Sequence, residues 1–361
     1  MKIAQISPLH ESVPPKLYGG TERVVSYLTE ALVAEGHDVT LFASADSITK
    51  AKLISHSSVA LRLSKTITDP LAPHIIQLQE VIERSKDFDI IHFHTDYLHF
   101  PFSNFLKTPC VTTLHGRLDL PELRAVYQKF SNQAVISISN NQRLPLPEAN
   151  WLDTIYHGLP EHLYTLQEKK QEYVAFIGRI SQEKRPDRAI EIAKRAGLKI
   201  KIAAKIDQAD EHYFNTYIKH LLKQPHVEYI GEIGEHEKNE FLGQAKALLF
   251  PIDWPEPFGM VMIEALACGT PVIAYPHGSV PEIISQGMNG FIVSSVEEAI
   301  NALDLVDLLD KKLIRTNFET RFSSKMMATN YVRNYKKLIS KNITYLNTKA
   351  EQAKDQAKLI A

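Results

Sequence analysis

Short apolar runs alternate with amphipathic stretches along this chain, and each change of period from two toward three and a half marks the passage from strand to helix. Residues 2–7 read as β-type. A loop rich in proline and glycine follows, and then Val24, Val25, Leu28, Leu32 and Val33 recur at helical spacing up to Gly36. The apolar run 38–43 completes a βαβ unit. Further strands are predicted at 89–94, 111–116, 133–140, 173–178, 198–204, 227–231, 247–251, 271–275 and 290–293. Helices are predicted at 188–196, 235–245, 261–268 and through 303–338, and residues 45–88 predict a loop and one helix carrying Gln77, Val81 and Ile82. Strands and helices alternating twice over predict an α/β protein of two Rossmann-like domains with parallel sheets, facing each other across a cleft.

Composition narrows the class. A length of 361 residues suits two domains, and 44% hydrophobic with 23% charged residues is the balance of a soluble globular protein. The net charge of −1 excludes nucleic-acid binding driven by overall charge. Cys110 and Cys268, the only two cysteines, sit in apolar surroundings without metal-ligand spacing, so a reducing, cytoplasmic protein is expected. No run is long enough to span a bilayer, and 1–8 is too short and too soon interrupted for a signal peptide.

Candidate chemistry gathers around Glu256-Pro257-Phe258-Gly259-Met260-Val261-Met262-Ile263-Glu264, between a predicted strand and a predicted helix. A glycine at that junction permits close backbone approach, and the first amides of a helix have no intrahelical partner. Two carboxylates, Glu256 and Glu264, flank this polar cradle, although an acid early in a helix also serves simply to complement its dipole. Arg179 and Lys184 follow the strand 173–178, where a planar fork and a point charge suit a diphosphate. His115 closes the strand 111–114 at the end that faces the crevice of a parallel sheet, a place that bystander histidines also occupy. The pair Gly19-Gly20 reads either as a tight turn or as a point of close ligand approach. Asp87-Phe88-Asp89 matches a metal-binding triplet but precedes its strand, and His92 and His94 share a strand face without a third metal ligand at useful spacing.

Glu-Pro-Phe-Gly followed by Glu264 resembles the E-x7-E signature of retaining glycosyltransferases of family 4, and Gly19-Gly20-Thr21-Glu22-Arg23, Gly178-Arg179 and Glu183-Lys184 resemble its other motifs, in the same order. The resemblance extends to about Leu338 and implies the GT-B architecture. It implies an acceptor-binding domain at 1–158, a nucleotide-sugar-binding domain at 159–318, a helix at 319–338 packing back on the first domain, and a basic, frayed tail at 339–361. His115, Arg179, Lys184 and Glu256 would be catalytic; Gly19, Gly20, Phe258, Gly259, Met260, Val261 and Glu264 would hold the donor, with no metal and no cofactor. Loops 118–130 and 140–148 are expected to read the acceptor. His157-Gly158-Leu159-Pro160 departs from the family's usual Asn-Gly-Ile-Asp.

The wording of 250–259 and of Pro14-Pro15-Lys16-Leu17-Tyr18-Gly19-Gly20 is similar to a bacterial subgroup that includes pteridine glucosyltransferases, implying UDP-glucose and a small soluble acceptor. A lipid-linked or polysaccharide acceptor, with UDP-N-acetylglucosamine or GDP-mannose as donor and peripheral membrane contact through the basic C-terminal segment, is the rival. A nucleotide-sugar epimerase and a non-catalytic sugar-nucleotide-binding module are the readings from other classes.

Overall fold

The computed structural model describes residues 1–16 and 19–360, with the side chains of 345–360 outside the description. Two parallel sheets carry the chain. The first is built from β1 (Lys2–Ile6), β2 (Asp38–Phe42), β3 (Lys52–Ile54), β4 (Ile90–Phe93), β5 (Cys110–Thr113), β6 (Val135–Ser137) and β7 (Trp151–Thr154), in the order β3-β2-β1-β4-β5-β6-β7. The second holds β8 (Tyr173–Arg179), β9 (Lys199–Lys205), β10 (Val227–Gly231), β11 (Ala247–Phe250), β12 (Val272–Ala274) and β13 (Gly290–Ile292), in the order β10-β9-β8-β11-β12-β13.

Central strands such as β4 and β11 are fully buried, β11 apolar throughout and β4 apolar except for His92, as befits strands covered on both faces. In each sheet the strand order reverses once, beside β1 and β4 in the first and beside β8 and β11 in the second. Where neighbouring connections leave in opposite directions a crevice opens at the carboxyl ends of the strands. The two-domain α/β architecture predicted from the alternation of periods is the architecture observed.

Some predicted elements are corrected. The edge strand β3 has only three residues, too few for an alternating pattern to register. Ser279, before the short helix Val280–Ile283, leaves it without a side-chain cap and donates its hydroxyl to the Phe258 carbonyl at 2.6 Å. The helical region 303–338 is not continuous: the helix Lys311–Phe322 stays with the second domain, where Phe322 packs against Phe258, and the crossing helix starts at Ser324 rather than 319.

The chain crosses between domains twice, at adjacent places. Leu159 N–H donates to the Phe322 carbonyl at 2.9 Å, and Ser324 N–H donates back to the Leu159 carbonyl at 2.8 Å. Gly158 is required there, because a Cβ would lie 2.3 Å from the Ser323 carbonyl oxygen. From Ser324 the final helix lays Tyr331 and Tyr335 into the first domain, and its backbone is helical to Ile360. The tail's basic side chains from Lys349 onward, and Leu17-Tyr18 of the subgroup string, lie outside the described residues. Among the described residues no helix is long and apolar enough to cross a membrane.

Candidate active site

Every residue expected to be catalytic or to hold the donor lines one cleft of about 720 Å³ between the two sheets: Gly19, Gly20 and His115 on the first domain, and Arg179, Lys184, Glu256, Phe258 to Val261 and Glu264 on the second. Each arrives by the same logic, as a loop or helix start following the carboxyl end of a strand. Arg179 ends β8, His115 follows β5, and the loop carrying Glu256 follows β11.

The second-domain wall is a set of paired charges. Lys184 Nζ is ion-paired with Glu256, whose Oε2 also accepts from the Trp254 indole N–H at 3.0 Å. The same ammonium stands 5.6 Å from the Phe250 ring centroid and 5.4 Å from that of Trp254, within cation–π range. Arg179 meets Glu183 at 3.3 Å, Asp210 at 3.3 Å and Asp207 at 3.9 Å. Lys205 also lines the cleft and pairs with Asp207 at 2.7 Å. Glu264 is buried and pairs with Lys238 at 2.8 Å. It lies beyond the first turn of the helix Met260–Ala267, where dipole compensation is weak, so a simple capping role does not account for it.

Gly259 has two reasons to be glycine. It sits at φ 76°, in the left-handed region, and a Cβ would fall 2.8 Å from Met262 Cε. The loop is braced from behind: Ser279 N–H donates to the Glu256 carbonyl at 2.9 Å, and a Cβ at Gly278 would lie 2.2 Å from that same carbonyl oxygen. Gly19 and Gly20 differ. A Cβ at Gly19 would press on Pro15 at 2.8 Å, whereas at Gly20, the first residue of the helix Gly20–Ala34, it would meet nothing within 4 Å.

The first-domain wall is histidine-rich. His115 Nε2 is 2.9 Å from His94 Nδ1, its ring stacks with His157 at 5.2 Å between centroids, and His157 meets the edge of Phe258 at 4.8 Å. Burial holds the His115 imidazole down to about 3 and those of His92, His94 and His157 well below the ordinary value, so all four are neutral near pH 7. His92 and His94 spend their nitrogens on Thr113, Tyr335, Gln5 and His115. The Asp87–Asp89 triplet lies at the opposite, amino ends of the strands, where Asp89 accepts from the Lys2 N–H at 2.8 Å. Among the described residues no group of three His, Cys, Asp or Glu side chains is arranged to hold a metal ion.

Sequence reasoning missed the partners that complete the cleft. Lys238, Asp96 and Glu235, which pairs with Arg23 to join the two domains, carry no motif that announces them, and Arg23, His157 and Trp254 lie within the motif strings without a role being assigned to them. In the loops 118–130 and 140–148, expected to read the acceptor, several groups are engaged within the protein. The Asn140 and Asn141 amides are occupied by Glu282 of the second domain, each at 2.8 Å, and Leu118, Leu123 and Tyr127 pack inward around Phe100. The first-domain wall of the cleft is formed by Pro8, His10, Arg62, Asp96, Gly116 and Arg117, with the histidines.

Two parallel-sheet domains of this topology, facing each other across a cleft, have the GT-B architecture. Residues 18–146 match the family described as Glycosyltransferase Family 4, and residues 164–324 match Glycosyl transferases group 1. An uncharacterized glycosyltransferase of Methanocaldococcus jannaschii is 24% identical over 344 residues, covering 81% of this chain and 85% of its own. AviGT4, a glycosyltransferase involved in avilamycin A biosynthesis, superposes with a TM-score of 0.71 at 22% identity, over 94% of this chain and 98% of its own. The Anabaena protein HepE, solved in complex with UDP-glucose, gives 0.69 at 17% identity, over 94% of this chain and 100% of its own. Together the two domain matches and these relatives support a glycosyltransferase of family 4.

Proposed function

We propose that this protein is a metal-independent retaining hexosyltransferase that moves glucose from UDP-glucose to a hydroxyl of a small soluble acceptor in the cytoplasm. The observation that carries the reading is the convergence, in one cleft, of Arg179 and Lys184 with the start of the helix Gly20–Ala34 and the Glu256–Glu264 loop. Departure of UDP breaks the bond between sugar C1 and the β-phosphate oxygen, leaving negative charge on the diphosphate and positive character on the sugar. Fixed cations and helix-start amides aimed at the former lower that barrier.

The ion pairs fit such a ligand by exchange. A diphosphate that draws Lys184 to itself releases Glu256, whose carboxylate then accepts from sugar hydroxyls. Glu264 receives the ribose hydroxyls, the 258–261 backbone seats the sugar, and His115 approaches from the other domain. The acceptor oxygen attacks C1 on the face the phosphate leaves, and its proton passes to the departing phosphate oxygen. The open space at Gly20 suits close approach of the diphosphate to the backbone. The choice of UDP-glucose rests on the wording of 250–259 and on the ligand of the Anabaena relative. Pterin alcohols are the first acceptors to try, because the same wording resembles pteridine glucosyltransferases.

A thermal-shift panel of UDP, GDP, ADP and their sugar conjugates tests the donor site, since a ligand that binds only the folded state raises its melting temperature. UDP and UDP-glucose are expected to stabilise the wild type, and Glu264→Ala to lose most of that gain. The anomeric configuration of the product, read by proton NMR with EDTA present, tests retention and metal independence. A folded protein that no nucleotide stabilises overturns the donor site, and an inverted product overturns the mechanism.

A further inference from the structure

One connected chain of buried polar groups starts on the final helix and ends in the cleft. Tyr331 Oη lies 2.9 Å from Thr113 Oγ1, which lies 2.8 Å from His92 Nε2. His92 Nδ1 is 2.7 Å from Tyr335 Oη, and Tyr335 Oη accepts from Gln5 Nε2 at 3.1 Å. Gln5 Oε1 is 2.8 Å from His94 Nε2, and His94 Nδ1 is 2.9 Å from His115 Nε2. The last atom, His115 Nδ1, is buried without a partner in a ring that lines the cleft.

Every hydroxyl and neutral imidazole in such a chain donates once and accepts once, so fixing one proton fixes the others. Gln5 is the member whose two ends differ: its oxygen only accepts and its nitrogen only donates. With that oxygen toward His94, the ring donates from Nε2 and accepts at Nδ1. His115 therefore donates from Nε2, and its Nδ1 keeps a lone pair. On the other side the Gln5 N–H occupies Tyr335, whose own hydrogen goes to His92 Nδ1, and His92 Nε2 donates to Thr113. The reversed amide would reverse every bond and leave His115 with a buried N–H lacking an acceptor, the rarer kind of defect.

We propose that Gln5 and Tyr335 are positioning residues that hold His115 in the tautomer presenting Nδ1 to the cleft as a hydrogen-bond acceptor for a hydroxyl of the bound sugar. The tautomer stands on the protein's own hydrogen bonds; the sugar hydroxyl rests on the glycosyltransferase reading. The final helix thus contributes to the cleft without touching it. In Tyr335→Phe the Gln5 amide loses the acceptor that fixes its orientation; turning its N–H toward His94 then only moves the unpaired N–H from Gln5 to His115, so the Nδ1–H form of His115 becomes populated beside the wild-type form.

The test is a long-range proton–nitrogen correlation spectrum of the full chain labelled with ¹⁵N-histidine, with His115 identified by its absence in His115→Gln. Wild type is expected to show His115 protonated at Nε2 and bare at Nδ1, and Tyr335→Phe to populate the Nδ1–H form. Tyr331→Phe, equally buried on the same helix, leaves both partners of Gln5 in place and keeps the wild-type tautomer. Gln5→Met, which frees His94, is a second route should Tyr335→Phe not fold, and it mixes the two forms. For sugar transfer, loss of one hydrogen bond to substrate predicts a fall in kcat of up to about tenfold in Tyr335→Phe, with UDP affinity unchanged. An Nδ1–H His115 in wild type, or an unchanged tautomer in folded Tyr335→Phe and Gln5→Met, overturns the proposal. Failure of the glycosyltransferase reading shows separately, as absence of nucleotide stabilisation, and leaves the tautomer measurement intact.

Discussion

Lys184 and Glu264 show how a residue's meaning depends on its partner. Both stood out in the sequence for their types and positions, but Lys184 is neutralised by Glu256 and Glu264 by Lys238, which lies far from it in sequence. No local pattern links such pairs, so the charges were legible and their balance was not. Lys184→Ala is expected to lower kcat by roughly 10²–10³-fold, the usual loss when one preorganised stabiliser of developing negative charge is removed. Steady-state kinetics with UDP-glucose check this, and unchanged kcat would remove Lys184 from the mechanism. Gly259 makes a conformational prediction. At φ 76°, with Met262 Cε 2.8 Å from the position of a Cβ, Gly259→Ala should cost about 1–2 kcal/mol of stability before any effect on ligand. A denaturant midpoint equal to that of wild type would show that the loop adapts.

Among the elements, the strands were the most legible, because buried parallel strands are continuous apolar runs bounded by turn residues. Helix limits were less so. The break at Ser323 is set by the second interdomain crossing, where the backbone bonds to Leu159, and neighbouring residues give no warning of it. A second long-range contact was equally illegible: Glu282 on a short second-domain helix binds the Asn140 and Asn141 amides at 2.8 Å and the Tyr156 hydroxyl at 3.1 Å. This clamp ties the domains together at the edge of the cleft. Glu282→Ala should loosen it by about 1–2 kcal/mol, given that hydrogen bonds to a charged group are the stronger kind. Small-angle scattering is expected to report a larger radius of gyration for that variant without ligand, and an identical profile would assign the clamp no part in domain orientation.

Across the whole molecule the buried histidines dominate the response to acid. His92, His94, His99, His115 and His157 are all held below 6.5, the ordinary value, because burial disfavours the imidazolium. Below that pH the unfolded chain binds protons that the folded chain refuses, so stability falls as pH drops, and it continues to fall toward about 3, where His99 and His115 protonate in place. Each ring contributes up to roughly 1.4 kcal/mol per pH unit in that window. Glu11, Glu22 and Asp96, whose carboxyls burial raises, act in the opposite sense and offset part of the loss. The melting temperature should drop by more than about 5 °C between pH 7 and pH 5. A flat profile would mean that these rings are not buried in solution.

The sequence by itself determined the two-domain α/β architecture, since the period of apolar positions reports which faces are covered. It also pointed to Arg179, Lys184, Glu256 and Glu264 on the second-domain wall, because strand-end loops bear glycine, proline and charge at fixed local offsets. Only the tertiary structure decided which charges neutralise one another, where the final helix begins, and that Tyr335 reaches Gln5 and His92 from the other end of the chain. The reason is physical. Backbone period and turn chemistry act over a few residues, whereas ion pairs, buried hydrogen-bond chains and domain clamps form between groups that only folding makes neighbours.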